Sequence, residues 1–231
     1  MKTIGMLGGM SWESTTSYYR AINTGIKQAL GGLHSAKICM VSVDFDEIEK
    51  LQHLDKWHET GVILSEAAQS IEKGGADFLL ICTNTMHKVA EQIQASIEIP
   101  VLHIADATAE ALANEGITRA GLLGTNFTME QAFYKDRITS KYGIEVIVPE
   151  EAERKIIHDV IYNELCLGVI KDYSRISYLN TITALQERGA QAVILGCTEI
   201  ALLVSQADTQ VPLFDTTEIH AAQAVAYALK P

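Results

Sequence analysis

The sequence predicts an α/β protein of two similar lobes, each a parallel sheet flanked by helices, related by pseudo-two-fold symmetry. Three observations predict it. Apolar runs of four to eight residues alternate with longer stretches of helical periodicity, the pattern of parallel strands buried on both faces. Two segments recur at nearly one offset: "IGMLGGM" at 4–10 returns as "AGLLGTN" at 120–126, and "GGADFLLICTNT" at 74–85 returns as "RGAQAVILGCTE" at 188–199. Small and polar residues gather where these runs end, which is where open α/β sheets bind ligands.

The first strand is "KTIGMLGG" at 2–9, whose apolar run is too short for a signal peptide. It ends in Gly8-Gly9-Met10-Ser11, followed by "WEST" and a helical segment. Glycines there allow close backbone approach, and a following helix start presents free N–H groups. The turn is neither a phosphate loop nor a dinucleotide fingerprint, because no Gly-Lys-Ser/Thr follows and the glycine spacing is wrong. Strands follow at "AKICMVSV" (36–43), "ADFLLICT" (76–83) and "PVLHIA" (100–105), with helices expected at 58–73 and 86–97. The second half repeats the plan with "RAGLLGT" (119–125), "EVIVP" (145–149), "QAVILGCT" (191–198) and "VPLFD" (211–215), and helices at 129–141, 151–167 and 173–188. The expected lobes are 1–100 with 213–231, and 101–212.

Hydrophobic residues make up 48% of the 231 and charged residues 20%, the balance of an ordinary soluble globular protein. A net charge of −11 argues against nucleic-acid and anionic-membrane partners, which select Lys/Arg excess. No apolar stretch reaches the roughly 18 residues of a membrane span. The cysteines Cys39, Cys82, Cys166 and Cys197 lack the spacing of a zinc site or redox motif, and no histidine or carboxylate cluster suggests a metal. Without an export signal the expected location is cytoplasmic, with free thiols. Cys39 and Cys166 sit in apolar patterns that favour core positions.

The repeat separates the adjacent pair Cys82-Thr83. Thr83 plus the offset of 114 is 197, so Thr83 and not Cys82 pairs with Cys197. Neighbours in a strand face opposite sides, so if Cys197 faces a cleft, Thr83 does too and Cys82 points away. A thiol at a strand end facing a helix start can have its pKa lowered from about 8.5, giving a usable thiolate. Thr125 and Thr128 suit either a carboxylate ligand or a helix cap, the cap being the commoner role. His87, four residues beyond Thr83, is within reach to orient or protonate a substrate, whereas His103, His158 and His220 have no motif around them.

The segments "GGMSWEST", "CTNTMH", "LLGTNFTM", "NELCLG" and "GCTEI", in this order, resemble the aspartate/glutamate racemase family. The resemblance is nearest to its bacterial L-aspartate/glutamate-specific and broad-specificity amino-acid racemase branch. It covers nearly the whole chain. It implies an active site between two α/β lobes, a small-molecule amino acid as substrate and no cofactor. Members often dimerise, so a homodimer is an open expectation. Two opposed cysteines serve the family as acid and base on the two faces of the α-carbon, and the second-lobe cysteine typically acts on the L-enantiomer.

Here the residue directly before Asn-Thr, normally the first cysteine, is Thr83, and the second is Cys197. The resemblance therefore implies an asymmetric racemase with Cys197 as base and Thr83 as the weaker opposite-face partner. By motif, Met10 and Ser11 line the substrate through backbone groups. Asn84, Thr85 and Thr198 hold its carboxylate and ammonium, helped by Thr125, Thr128 and Gln52. Aspartate-selective relatives place an arginine after the second strand and a lysine in the "EL-x-x-G" helix. "DFDEIEK" has no arginine, and "NELCLG" has a cysteine there, which opens a broader specificity. A related carbanion enzyme and a non-catalytic amino-acid-binding protein are the other readings the altered pair allows.

Overall fold

In the computed structural model, which describes residues 1–230, two four-stranded sheets form among the described residues, and every pairing in them is parallel. The contacts divide the chain into two units, one of Met1–Ile104 with the chain from His220 onward, the other of Ala105–Ile219. The first unit runs β1 (Ile4–Gly8), α1 (Trp12–Leu30), β2 (Ile38–Ser42), α2 (Phe45–His53), α3 (Trp57–Lys73), β3 (Phe78–Ile81), α4 (Ala90–Gln94) and β4 (Val101–Leu102). Its strand order is β2-β1-β3-β4.

Then come α5 (Ile104–Asn114), β5 (Arg119–Gly124), α6 (Asn126–Glu130), α7 (Ala132–Tyr142), β6 (Glu145–Ile147), α8 (Glu151–Asn163), α9 (Asp172–Glu187), β7 (Ala192–Gly196), β8 (Leu213–Asp215) and α10 (Thr216–Leu229). The second sheet has the order β6-β5-β7-β8, the same as the first once the strands are renumbered from its start. Both sheets thus place the two repeated strand ends side by side. All eight predicted strands form. No helix among the described residues is long and apolar enough to cross a membrane.

Three predicted helices are interrupted. The 86–97 stretch opens as a tight 3₁₀ turn at Thr85–Val89 before α4. The 129–141 stretch breaks at Gln131, whose backbone is extended (ψ 149) between α6 and α7. The 151–167 stretch leaves α geometry at Glu164 and ends at Gly168 in the left-handed region (φ 70). The Glu164 break has a visible cause: its buried carboxylate accepts from Ser174 Oγ at 2.7 Å, Tyr173 Oη at 2.8 Å and Lys171 Nζ at 3.3 Å. These bonds tie the end of α8 to the start of α9.

In the first unit the strand alternation sorts side chains into two cores. Phe78, Leu80 and Cys82 pack with Ile4, Met6 and the small residues Ala221, Ala224 and Ala228 of α10. Leu79 and Ile81 pack with Leu7, Leu64, Ile71 and Ile93 on the other side. Helix α3 comes so close to β1 that a Cβ at Gly5 would stand 2.6 Å from Ile71 Cγ2. Gly9, at φ 96, turns the chain sharply beyond β1, and its N–H donates to Thr15 Oγ1 at 2.8 Å.

A buried polar chain crosses the apolar side of this unit. His220 Nε2 donates to the Leu102 carbonyl at 2.8 Å, leaving Nδ1 to accept from Tyr18 Oη, also at 2.8 Å. The Tyr18 bond requires a neutral ring, because a protonated Nδ1 cannot accept, and burial pushes the His220 pKa down to about 4 against the opposing effect of the Leu102 carbonyl. In the unfolded chain the ring protonates below about pH 6.5. The stability His220 contributes is therefore complete above pH ~6.5 and falls as the pH drops toward 4, by about 3 kcal/mol. Chemical denaturation from pH 8 to 4 should show this slope, and His220→Gln, lower in stability throughout, should lose this part of it.

Candidate active site

The candidate residues collect at the carboxyl ends of the two central strands of each sheet. In the first unit Leu7 and Ile81 are paired neighbours, so the turns after β1 and β3 emerge together. This brings Met10 and Ser11 beside Thr83, Asn84 and Thr85. Gln52 is buried in the last turn of α2. In the second unit Gly124 pairs with Gly196, which joins Thr125 and Thr128 to Cys197 and Thr198. A Cβ at Gly124 would lie 3.0 Å from the Gly196 carbonyl oxygen, so a glycine is what lets these two strand ends approach so closely.

Ser11 is the N-cap of α1: its Oγ accepts from the Ser14 amide at 3.3 Å, while its carbonyl accepts from Thr15 Oγ1 at 2.9 Å. Thr125 caps α6 in the same way, accepting from the Thr128 amide at 3.3 Å. The Thr125 and Thr128 hydroxyls also meet each other at 3.3 Å. These two caps stand 114 residues apart, the offset of the second repeat, so the duplication extends to the capping bonds. The capping role expected of threonine is therefore in use at Thr125.

Beyond β3, Cys82 is fully buried in the α1/α10 core, and burial alone pushes its thiol far above the ordinary range. It is a packing residue. Its carbonyl accepts from Ser14 Oγ at 3.0 Å, which anchors α1 to the strand end. Thr83, one residue on, is partly exposed. Asn84 and Thr85 are buried beside it.

His87 holds this turn in place. Its Nε2 accepts from the Ile104 amide at 3.2 Å, so Nδ1 carries the proton and donates to the Thr83 carbonyl at 2.8 Å. Burial first, then the neighbouring His103 and His220 rings, holds its pKa well below the usual histidine value. A neutral ring with both nitrogens spent on backbone does not protonate a substrate. The expectation of that role is corrected to one of positioning Thr83.

Beyond β7, Cys197 is partly exposed. Its Sγ donates to Glu199 Oε2 at 3.0 Å, and Thr198 Oγ1 donates to the same oxygen at 2.6 Å. Glu199 is 4% exposed. Burial pushes the Cys197 thiol well above its ordinary value, and the Glu199 carboxylate and the Cys166 thiol raise it further. The lowered thiol pKa expected from the sequence is thus reversed, because the sulfur is withdrawn from water and a carboxylate stands beside it. Cys166 is likewise only half-buried and acts on Cys197 electrostatically, in place of the core role expected for it.

Two contributors escaped the sequence. Glu199 stands in plain sight two residues after Cys197, but nothing local shows its side chain folding back on the sulfur. His158, expected to be incidental, accepts the Asn126 amide at 3.2 Å and so supports the start of α6 beside Thr125. No sequence signal links residues 126 and 158. Among the described residues no His, Cys, Asp or Glu group is arranged to hold a metal.

A family model described as Asp/Glu/hydantoin racemase matches residues 7–224. The broad specificity amino-acid racemase RacX of Bacillus subtilis is 24% identical over 93% of this chain and 92% of that protein. A crystal structure of a Yersinia pestis protein superposes with a TM-score of 0.93 at 54% identity, over the whole of both chains. That of an aspartate racemase homologue from Pyrococcus horikoshii does so with 0.86 at 31% identity, again over both whole chains.

The equivalent caps give a paired test. Ser11→Ala and Thr125→Ala should each cost about 1 kcal/mol of unfolding free energy in urea denaturation.

Proposed function

The chain belongs to the Asp/Glu/hydantoin racemase family, and from that premise we propose that it racemises amino acids without a cofactor, with L-aspartate and L-glutamate as first substrates. Racemisation removes the α-proton from one face of the substrate and returns a proton to the other. Cys197 acts as the base toward the L-enantiomer and Thr83 serves the opposite face. The difference between the two strand ends carries this reading. A partly buried cysteine follows one central strand, a partly buried threonine follows its repeat, and the neighbouring thiol Cys82 is sealed in the core.

A threonine hydroxyl is a far weaker acid than a thiol and a poor base without an activating neighbour. The proposed enzyme is accordingly lopsided, faster in taking the proton from L- than from D-substrate. Asn84, Thr85 and Thr198 hold the substrate carboxylate and ammonium, with Thr125 and Thr128 assisting and Met10 and Ser11 contributing backbone groups. Gln52, buried in α2, belongs to the same set.

One observation favours a wider substrate range. The thiol of Cys166, not a cation, bears on Cys197. Position 166 itself then offers no cation to a second substrate carboxylate. The likeness to a broad-specificity racemase supports the same direction.

Solvent deuterium incorporation at Cα, followed by NMR with a panel of L- and D-amino acids, tests all of this. Wild type should exchange and racemise, fastest from the L-side. Cys197→Ser should lose exchange by about 10²–10⁴-fold; substantial residual exchange would sink the assignment. Thr83→Cys should raise proton removal from D-substrates, and no gain there would count against the Thr83 role. Carbon dioxide release would point to a related carbanion reaction, and binding without exchange to a non-catalytic protein.

A further inference from the structure

We propose that Glu199 is the proton store of Cys197: the thiol and the carboxylate carry one negative charge between them and work as a single acid–base unit. This rests on the reading of Cys197 as the base. Glu199 acts through the sulfur and is a positioning residue, not a group that meets the substrate.

The observation behind it is geometric. Cys197 Sγ and Glu199 Oε2 are 3.0 Å apart, and the carboxylate is buried. A thiolate formed there by loss of a proton to solvent would set two negative charges side by side in a poorly hydrated place, where their repulsion is least screened. The other titratable groups bearing on this sulfur offer no relief. Cys166, on the 3₁₀ turn Leu165–Leu167, contributes a further thiol. Tyr178, on α9, spends its hydroxyl proton on the Ile157 carbonyl at 2.9 Å. Neither is a cation. The Glu199 backbone amide favours the thiolate, against the larger effects of burial and of its own carboxylate.

Passing the thiol proton to Oε2 removes the conflict. As sulfur takes the α-proton, its own S–H bond breaks toward Oε2 and an O–H bond forms. The Cα–H electron pair stays on carbon, and the carboxylate is neutralised as the substrate gains the charge. The reverse sequence returns both protons, and nothing is oxidised or reduced. Thr198 Oγ1, donating to the same oxygen at 2.6 Å, keeps Oε2 aimed at the sulfur.

The test compares wild type, Glu199→Gln and Glu199→Asp by two measurements. The first is the pH profile of iodoacetamide alkylation at Cys197, resolved from the other cysteines by peptide mass spectrometry. The second is Cα deuterium exchange with L-aspartate and L-glutamate. Glu199→Gln should move the Cys197 alkylation midpoint to lower pH, about tenfold more thiolate for each unit of pKa moved. It should at the same time lose exchange by about 10²-fold or more. More thiolate with less catalysis is a combination that a merely structural role does not produce. Glu199→Asp, which keeps a carboxylate, should recover part of the exchange, and circular dichroism should show both variants folded. Exchange by Glu199→Gln within a few-fold of wild type, or an unmoved alkylation midpoint, would overturn the proposal. A wild-type chain that exchanges no amino acid would remove the racemase reading and the relay with it, while a shifted midpoint would still report the shared charge.

Discussion

A parallel strand covered by helices on both faces must divide its side chains between two cores, one residue at a time, and this alternation governs everything at the end of β3. Phe78, Leu80 and Cys82 enter one core, and Leu79 and Ile81 enter the other. Thr83 follows in the turn beyond the strand, where its amide donates to the Ile81 carbonyl at 2.9 Å, and its side chain is left partly exposed. The more reactive group, the Cys82 thiol, is locked away by a rule that takes no account of reactivity. Cys197 occupies the corresponding place just beyond β7, after Leu195 and Gly196. Two equivalent positions thus end with different chemistry, a hydroxyl and a thiol.

Turns that leave a sheet this abruptly strand their backbone groups, and buried side chains supply the missing partners. His87 takes the Thr83 carbonyl and the Ile104 amide, Ser14 takes the Cys82 carbonyl, and Thr15 takes both the Gly9 amide and the Ser11 carbonyl. In the second unit Thr125 and His158 do the same for the start of α6. These groups hold the strand ends in fixed positions. That explains why a histidine so near a candidate catalytic position has both nitrogens turned toward the backbone.

The electrostatics are as unequal as the residues. Cys197 has a carboxylate two residues away, folded onto its sulfur. The residue at the matching place after Thr83 is Thr85, which carries no charge. One strand end therefore holds both a proton donor and a place to put the proton, and the other holds two hydroxyls and an amide with no charge. The asymmetry extends beyond one substitution to the environment that would make it matter.

The sequence by itself determined the strands, their repetition, the phase that buries Cys82, and the small and capping residues at each strand end. All of these depend on spacing within a few residues or on a constant offset, and such patterns survive in one dimension. The sequence also identified Thr83 and Cys197 as the corresponding positions. Tertiary structure alone decided what those positions experience. The pairs His87 with Ile104 and Asn126 with His158 are 17 and 32 residues apart, with no periodicity to announce them. Glu199 lies only two residues from Cys197, yet whether its carboxylate points to solvent or to sulfur depends on the turn after β7 and the burial around it. The sequence led to a thiol activated by a helix start, whereas the fold brought a carboxylate to it, because ionisation depends on which charges converge in space and how far water is excluded.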